Sequence, residues 1–163
     1  MMLNVQGGEM ARILIVEDDD EIRELLSEAL MRWGHETALA PNGQEGLQVY
    51  RQGQFDLILS DVRMPVMDGL TLLKTIREKD RKTPVIIVTA YPTVDSAVES
   101  LGLGADFYLV KPVNFDDLQA KMNKCLENGR IQNEADKLHR VNRWLWAGMA
   151  AALILGVLIG QWI

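Results

Sequence analysis

The sequence predicts an α/β protein: a doubly wound, five-stranded parallel sheet with five helices, followed by one apolar helix at the C-terminus. Three observations predict it. Between residues 12 and 127, short apolar runs of strand length alternate five times with segments of helical period. The clearest runs are continuously apolar rather than alternating, which suits strands buried on both faces. Parallel strands need crossover connections, and right-handed crossovers lay helices on both sides of a sheet.

Arg12 to Val16 is the first run, and four acids, Glu17 to Asp20, close it. Asp20 stands where a cap is needed for the helix that follows. In that helix Ile22, Leu25, Leu26, Ala29, Leu30 and Trp33 fall at helical spacing until Gly34 stops it. His35 to Ala40 is a weaker second strand. Asn42-Gly43 punctuates the chain, Glu45 to Tyr50 fits a short helix, and Gly53 ends it. Phe55 to Ser60 is the third strand, closed by Asp61. Pro65 and Gly69 mark a loop before a helix over Leu70 to Ile76. Thr83-Pro84 turns the chain into Val85 to Val88, a wholly apolar fourth strand. Asp95 to Leu101 is helical and ends in Gly102 and Gly104; Asp106 to Val110 is the fifth strand. Asn114 is placed to cap a fifth helix that carries Leu118, Met122 and Leu126.

The expected organisation is a disordered leader (1–10), an α/β domain (11–127), a linker or juxtamembrane helix (128–143) and a transmembrane helix (144–163). The leader lacks the basic region and apolar stretch of a signal peptide, and either Met1 or Met10 serves as the start. The net charge of −6 is unevenly spread: residues 1–129 carry −8 and residues 130–163 carry +2. An acidic body is a poor partner for nucleic acid, whose phosphates demand Lys and Arg. Cys125 is the only cysteine, so neither an internal disulfide nor a zinc cluster can form, which fits a reducing compartment.

Reactive residues of such sheets gather at the carboxyl ends of the strands. There the sequence places Glu17, Asp18 and Asp19 after the first strand, Asp61 after the third, Thr89 at the fourth and Lys111-Pro112 after the fifth. Taken singly each has a plain reading, as a cap, a solvated acid or a strand residue. Together they make a small site with several carboxylates, a hydroxyl and an ammonium. Clustered carboxylates repel one another unless a cation sits among them. Oxygen ligands suit Mg²⁺, which also favours a phosphate. An Asp carboxylate can attack phosphorus to give an aspartyl phosphate, with Lys and metal offsetting the charge.

The runs Ile13-Leu14-Ile15-Val16-Glu17-Asp18-Asp19, Asp61-Val62-Arg63-Met64-Pro65-Val66-Met67-Asp68-Gly69, Val88-Thr89-Ala90 and Tyr108-Leu109-Val110-Lys111-Pro112 resemble the four signatures of response-regulator receiver domains, over residues 11–127. The resemblance implies a flavodoxin-like sheet of order 2-1-3-4-5. It implies that Asp61 accepts a phosphoryl group from a histidine kinase or phosphotransfer protein, and that Mg²⁺ is held by Glu17, Asp18, Asp61 and the backbone carbonyl of Arg63. It further implies that Thr89 bonds the phosphate, that Lys111 pairs with it across a cis bond to Pro112, and that Tyr108 is a switch aromatic coupled to Thr89. Val88 to Val94 and Gly104 to Leu109 resemble receivers that precede transcription-activating ATPase domains, and residues 128–163 show no resemblance to such a domain.

Trp144 to Ile163 is 20 residues without a charge. As a helix it spans ~30 Å, the thickness of a hydrocarbon core. Trp144 and Trp146 stand at one end and Trp162 at the other, with Lys137, Arg140 and Arg143 flanking only the N-terminal side. That asymmetry predicts a single-pass anchor in the inner (cytoplasmic) membrane with the receiver in the cytoplasm. The alternative is a buried or pairing helix of a soluble oligomer. Gly148, Ala152, Gly156 and Gly160 recur every four residues, a stripe that suits helix pairing and a homodimer. Ile131, Leu138 and Leu145 recur every seven, and Asn128-Gly129 offers a hinge.

The expectation is a membrane-anchored receiver that signals through contacts with an output partner and not through nucleic acid. A phosphate relay or a scaffold without its own output is the alternative. An Asp-nucleophile phosphatase fits less well: dehalogenase-type enzymes need a second Asp two residues after the first, where this chain has Arg63. On this reading the chain is a phosphoacceptor and not an enzyme.

Overall fold

The computed structural model describes residues 10–160, without the side chains of 133, 136, 140–142, 144, 145 and 147–160. The expected leader, apart from Met10, and residues 161–163 lie outside the described residues.

Five strands and five helices alternate: β1 (Arg12–Val16), α1 (Asp20–Arg32), β2 (Glu36–Ala40), α2 (Gly43–Gln52), β3 (Leu57–Ser60), α3 (Gly69–Arg77), β4 (Val85–Thr89), α4 (Val94–Gly102), β5 (Phe107–Val110) and α5 (Phe115–Gly160). The strands form one parallel sheet of order β2-β1-β3-β4-β5. Consecutive side chains of the central strands enter different cores. Ile13 and Ile15, Leu57 and Leu59, and Ile86 and Val88 pack on one face with Leu26 and Leu30 of α1 and Leu118 and Met122 of α5. Leu14 and Val16, Ile58, and Val85 and Ile87 pack on the other with Leu47 of α2 and Leu72, Leu73 and Ile76 of α3. Two covered faces explain why these strands carry no polar alternation.

The caps account for most differences from the sequence reading. Asp19, not Asp20, caps α1: its extended backbone lets Oδ1 accept from the N–H groups of Glu21 and Ile22, at 3.0 and 3.1 Å. Asn42 Oδ1 accepts from Glu45 N at 2.9 Å, so α2 begins at Gly43, two residues earlier than expected. Asn114 does cap α5, accepting from Asp117 N at 3.1 Å. Strand β3 starts at Leu57, while Phe55 is buried beside it against Tyr50. On α4 the apolar residues Val94, Val98 and Leu101 are exposed, and Ser100 is the residue that the helix buries.

The hinge expected at Asn128-Gly129 is helical backbone within α5, at a cost of about 1 kcal/mol for a helical Gly relative to Ala. The chain divides into two compact units, Met1–Gly129 and Arg130–Ile163. In the second, Ile131, Leu138 and Trp146 are exposed. Among the described residues no helix is long and apolar enough to cross a membrane. The expected span 144–163 and its stripe of Gly148, Ala152, Gly156 and Gly160 fall largely on side chains outside those described.

Among the described residues, one non-glycine backbone position has a positive φ and is strained. Val66, in the β3–α3 loop, has φ +69° and is 83% exposed. A β-branched residue pays a steric penalty there, whereas Asn tolerates the left-handed region. Val66→Asn is expected to stabilise the protein by about 1 kcal/mol, read as a raised urea midpoint at unchanged slope.

At the amino end of β4, Asp80 ties three elements. It accepts from Tyr50 OH, from Thr83 Oγ1 at 2.5 Å, and from the N–H groups of Lys82 and Thr83 at 2.7 and 3.0 Å. Burial alone raises its pKa, but the Thr83 and Tyr50 hydroxyls and the two backbone donors outweigh it and hold the carboxyl well below the usual range. A depressed folded pKa means stability that is present above the unfolded value, about 4, and lost as pH falls toward the folded one. Asp80→Asn is therefore expected to flatten the loss of stability below about pH 4, measured by urea unfolding across pH.

Candidate functional site

The parallel register delivers the site. Val16 stands opposite Ser60, and Thr89 opposite Val110, so the residues that follow meet at one rim. Asp61 N–H donates to Val16 O at 2.9 Å, and Lys111 N–H donates to Thr89 O at 2.9 Å. Lys111-Pro112 is cis. Gly69 is required by close approach: a Cβ there stands 1.9 Å from Asp61 O.

The Lys111 ammonium donates to Glu17 Oε2 and to Asp61 Oδ2, each at 2.6 Å. Glu17 and Asp61 are buried, and the Lys111 side chain is 10% exposed. Asp61 Oδ1 accepts from Arg63 N–H at 3.1 Å. Asp18 is exposed, and one carboxylate oxygen each from Glu17, Asp18 and Asp61 lie within 4.8 Å of one another. Thr89 is fully buried; its Oγ1 accepts from Tyr91 N–H at 3.2 Å.

The electrostatics leave a deficit of positive charge. Burial pushes the Glu17 carboxyl up; the bonds and charge of Lys111 offset this only in part, and the charge of Asp61 adds to it. Burial pulls the Lys111 ammonium down, but the bonds and charges of Asp61 and Glu17 outweigh it, so its pKa is raised. One ammonium thus bridges the two buried carboxylates, with the exposed Asp18 carboxylate beside them. A hard divalent ion with oxygen ligands fits that shortfall and that donor set.

Glu17, Asp18, Asp61, Thr89 and Lys111 are brought to one rim, as the sequence suggested. Tyr108 is half-buried against the α2–α3 core, and its hydroxyl shares a 2.8 Å hydrogen bond with Ser96 Oγ. Sequence reasoning missed Ser96, which also completes the capping box of α4 with Thr93. The Thr93-x-x-Ser96 spacing was the available signal. It also missed the Arg63 guanidinium, which lies 4.9 Å from the centroid of the Tyr91 ring and links the two loops beside Asp61 and Thr89. Nor did it single out Arg23, whose Nη1 donates to Glu17 O at 2.7 Å.

The buried carboxylate pair and its bridging ammonium stand at the carboxyl rim of a doubly wound α/β sheet, where such folds place their reactive groups. The chain belongs to the response regulator receiver domain family, whose model matches residues 13–123. It is 40% identical over 137 residues to the regulatory protein AtoC of Escherichia coli K12, which covers 83% of this chain and 30% of that one. It is 46% identical over 114 residues to the transcriptional regulatory protein ZraR of the same strain, covering 70% of this chain and 26% of that one. The chain thus spans under a third of the length of these relatives. Among solved structures it is similar to the response regulator TrrA of Thermotoga maritima in complex with Mg²⁺ and BeF, at TM-score 0.67 and 42% identity over 72% of this chain and all of that one. A CheY-like receiver from Methanospirillum hungatei matches at TM-score 0.73 and 35% identity, over 76% and 99%. Receivers are phosphoacceptors rather than catalysts: histidine kinases or phosphotransfer proteins supply the phosphoryl group, and an aspartate takes it. They bind Mg²⁺ at an acidic pocket, and the Glu17, Asp18 and Asp61 cluster is that pocket here.

Proposed function

We propose that this chain is a membrane-anchored receiver that takes a phosphoryl group on Asp61 and signals through protein contacts. The observation that carries the assignment of Asp61 is its 2.6 Å bond to Lys111 at the end of β3, beside Glu17. In the transfer, an Asp61 carboxylate oxygen forms a bond to phosphorus as the phosphorus–nitrogen bond of the donor histidine breaks. Arg63 N–H holds one oxygen of Asp61 in place, and Lys111 offsets charge on the transferring group. Glu17, Asp18, Asp61 and the Arg63 carbonyl are the groups that hold Mg²⁺, and the bound ion supplies further charge neutralisation. Phosphorylation exchanges the single charge of the Asp61 carboxylate for roughly −2 on the phosphoryl group, a net gain of about one negative charge. The Thr89 hydroxyl is a donor for the new oxygens, and its movement frees space for the Tyr108 ring, breaking the bond to Ser96 and altering the α4 face.

The uncharged run Trp144 to Ile163, its terminal tryptophans and the basic residues before it support a single-pass anchor with the receiver on the cytoplasmic side. The small-residue stripe supports pairing of two copies. An anchor raises the local concentration of membrane partners. The test is a pull-down from solubilised membranes with the wild-type chain and Asp61→Asn, each with and without acetyl phosphate. A partner captured only by phosphorylated wild type supports the reading. A chain that labels but partitions into the soluble fraction refutes the anchor.

A further inference from the structure

We infer that Arg23 is a positioning residue for the magnesium-binding loop, acting through the Glu17 carbonyl. The inference rests on the reading of Glu17 and Asp18 as ligands. Residues 17–19 leave the sheet and enter α1. Glu17 N–H makes the last ladder-like bond, to Ala40 O at 3.1 Å, and Asp19 then caps the helix. Between those two anchors lies the Glu17–Asp18 peptide. Glu17 is only 2% exposed, so its carbonyl needs a partner inside the protein. Arg23, one turn into α1, supplies it: Nη1 donates to Glu17 O at 2.7 Å. That bond fixes the peptide plane that joins the two carboxylates.

The other contact of Arg23 does not explain its placement. Its partner there, Asp20, has a side chain 79% exposed, and an exposed pair three residues apart on a helix contributes little. The Arg23 side chain itself is only 14% exposed, drawn inward toward the loop. A guanidinium can serve a carbonyl and a carboxylate at once through separate N–H groups, whereas an ammonium is a single point of charge.

Charge and position have opposite signs at this residue, so they can be separated. A cation beside the cluster repels Mg²⁺; if charge were its only effect, neutralising it would tighten metal binding. If it positions the loop, removing it loosens the ligands and weakens binding.

The experiment is calorimetric titration of MgCl₂ into the full-length chain in non-ionic detergent, at fixed ionic strength, for wild type, Arg23→Lys, Arg23→Gln, Asp18→Asn and Arg32→Gln. Arg32 is an exposed control on the same helix, paired with Glu28. Thermal melts in chelator verify that each variant is folded at the titration temperature. Both Arg23 variants are expected to bind Mg²⁺ roughly tenfold more weakly, within the range for groups that orient metal ligands, with Arg32→Gln unchanged. Affinities of both Arg23 variants within twofold of wild type, or tighter, overturn the inference while Asp18→Asn still loses binding and keeps the ligand reading intact. Should Arg23→Gln be unfolded, Arg23→Lys alone decides. A wild-type chain that takes no Mg²⁺ overturns both.

Discussion

Asp61→Asn is expected to reduce phosphoryl incorporation from acetyl phosphate to background while leaving the protein folded. The nucleophile is a carboxylate oxygen, and an amide oxygen is too weakly nucleophilic to replace it. The fold tolerates the change for electrostatic reasons. Asp61 is a like charge beside Glu17, and it contributes to the raised Glu17 pKa. Removing it leaves Lys111 and Glu17 as a one-to-one pair at 2.6 Å. An Asn at 61 retains one oxygen, which can go on accepting from Arg63 N–H; its amide NH₂ then takes the place of the oxygen that Lys111 bonded, and Lys111 keeps Glu17 as its acceptor. The net change in stability is expected to lie within about 1 kcal/mol of zero, because the lost charge-assisted bond is offset by relief of repulsion. The measurements are mass-spectrometric detection of the phosphorylated chain in Mg²⁺ and urea unfolding in chelator. Equal labelling of the two proteins assigns the acceptor to another residue. Loss of labelling together with loss of fold removes the variant as evidence, and Asp61→Glu then serves, since it keeps the charge but moves the oxygen by one methylene.

What the sequence reveals well is what a strand end dictates. Each site residue closes an apolar run, and parallel register alone brings Glu17, Asp61, Thr89 and Lys111 to a common rim. Two covered sheet faces make the strands continuously apolar, and that pattern is visible without coordinates. The misses are of another kind. Whether Asp19 or Asp20 caps α1 depends on one ψ angle, and both residues are good caps, so composition cannot choose. The partnership of Arg23 with the Glu17 carbonyl is a side chain reaching back to backbone, and no residue pattern encodes a carbonyl. The Arg63–Tyr91 contact joins two loops far apart in sequence. The exposed stripe Val94, Val98 and Leu101 has core-like spacing, yet the only residue that α4 buries is a serine. Apolar periodicity reports which faces of a helix are apolar, not whether anything covers them.

Lys111→Met carries the largest stability change expected in this protein. The substitution keeps the length and apolar stem of the side chain and removes its charge, so packing is preserved. Two buried carboxylates then face each other with no ammonium between them. Breaking a buried ion pair by removing one partner costs about 3–5 kcal/mol, and here one cation serves two buried anions. The pH dependence has a definite sign. In the wild type the raised Lys111 pKa makes its contribution fully present below the unfolded value, about 10.4, and lost as pH rises through the folded one. In the variant, burial and the Asp61 charge act on Glu17 without the opposing ammonium, so its pKa rises further. Protonation then relieves the strain, and the gap between variant and wild type narrows as pH falls below neutral. Mg²⁺ narrows it too, by returning positive charge to the same oxygens. Urea unfolding at pH 7 and pH 5, with chelator and with saturating Mg²⁺, measures all three effects. A gap under about 1 kcal/mol at pH 7 in chelator, or one that ignores both protons and metal, means that Lys111 is not the counter-ion of this site, and the charge shortfall that calls for the metal loses its basis.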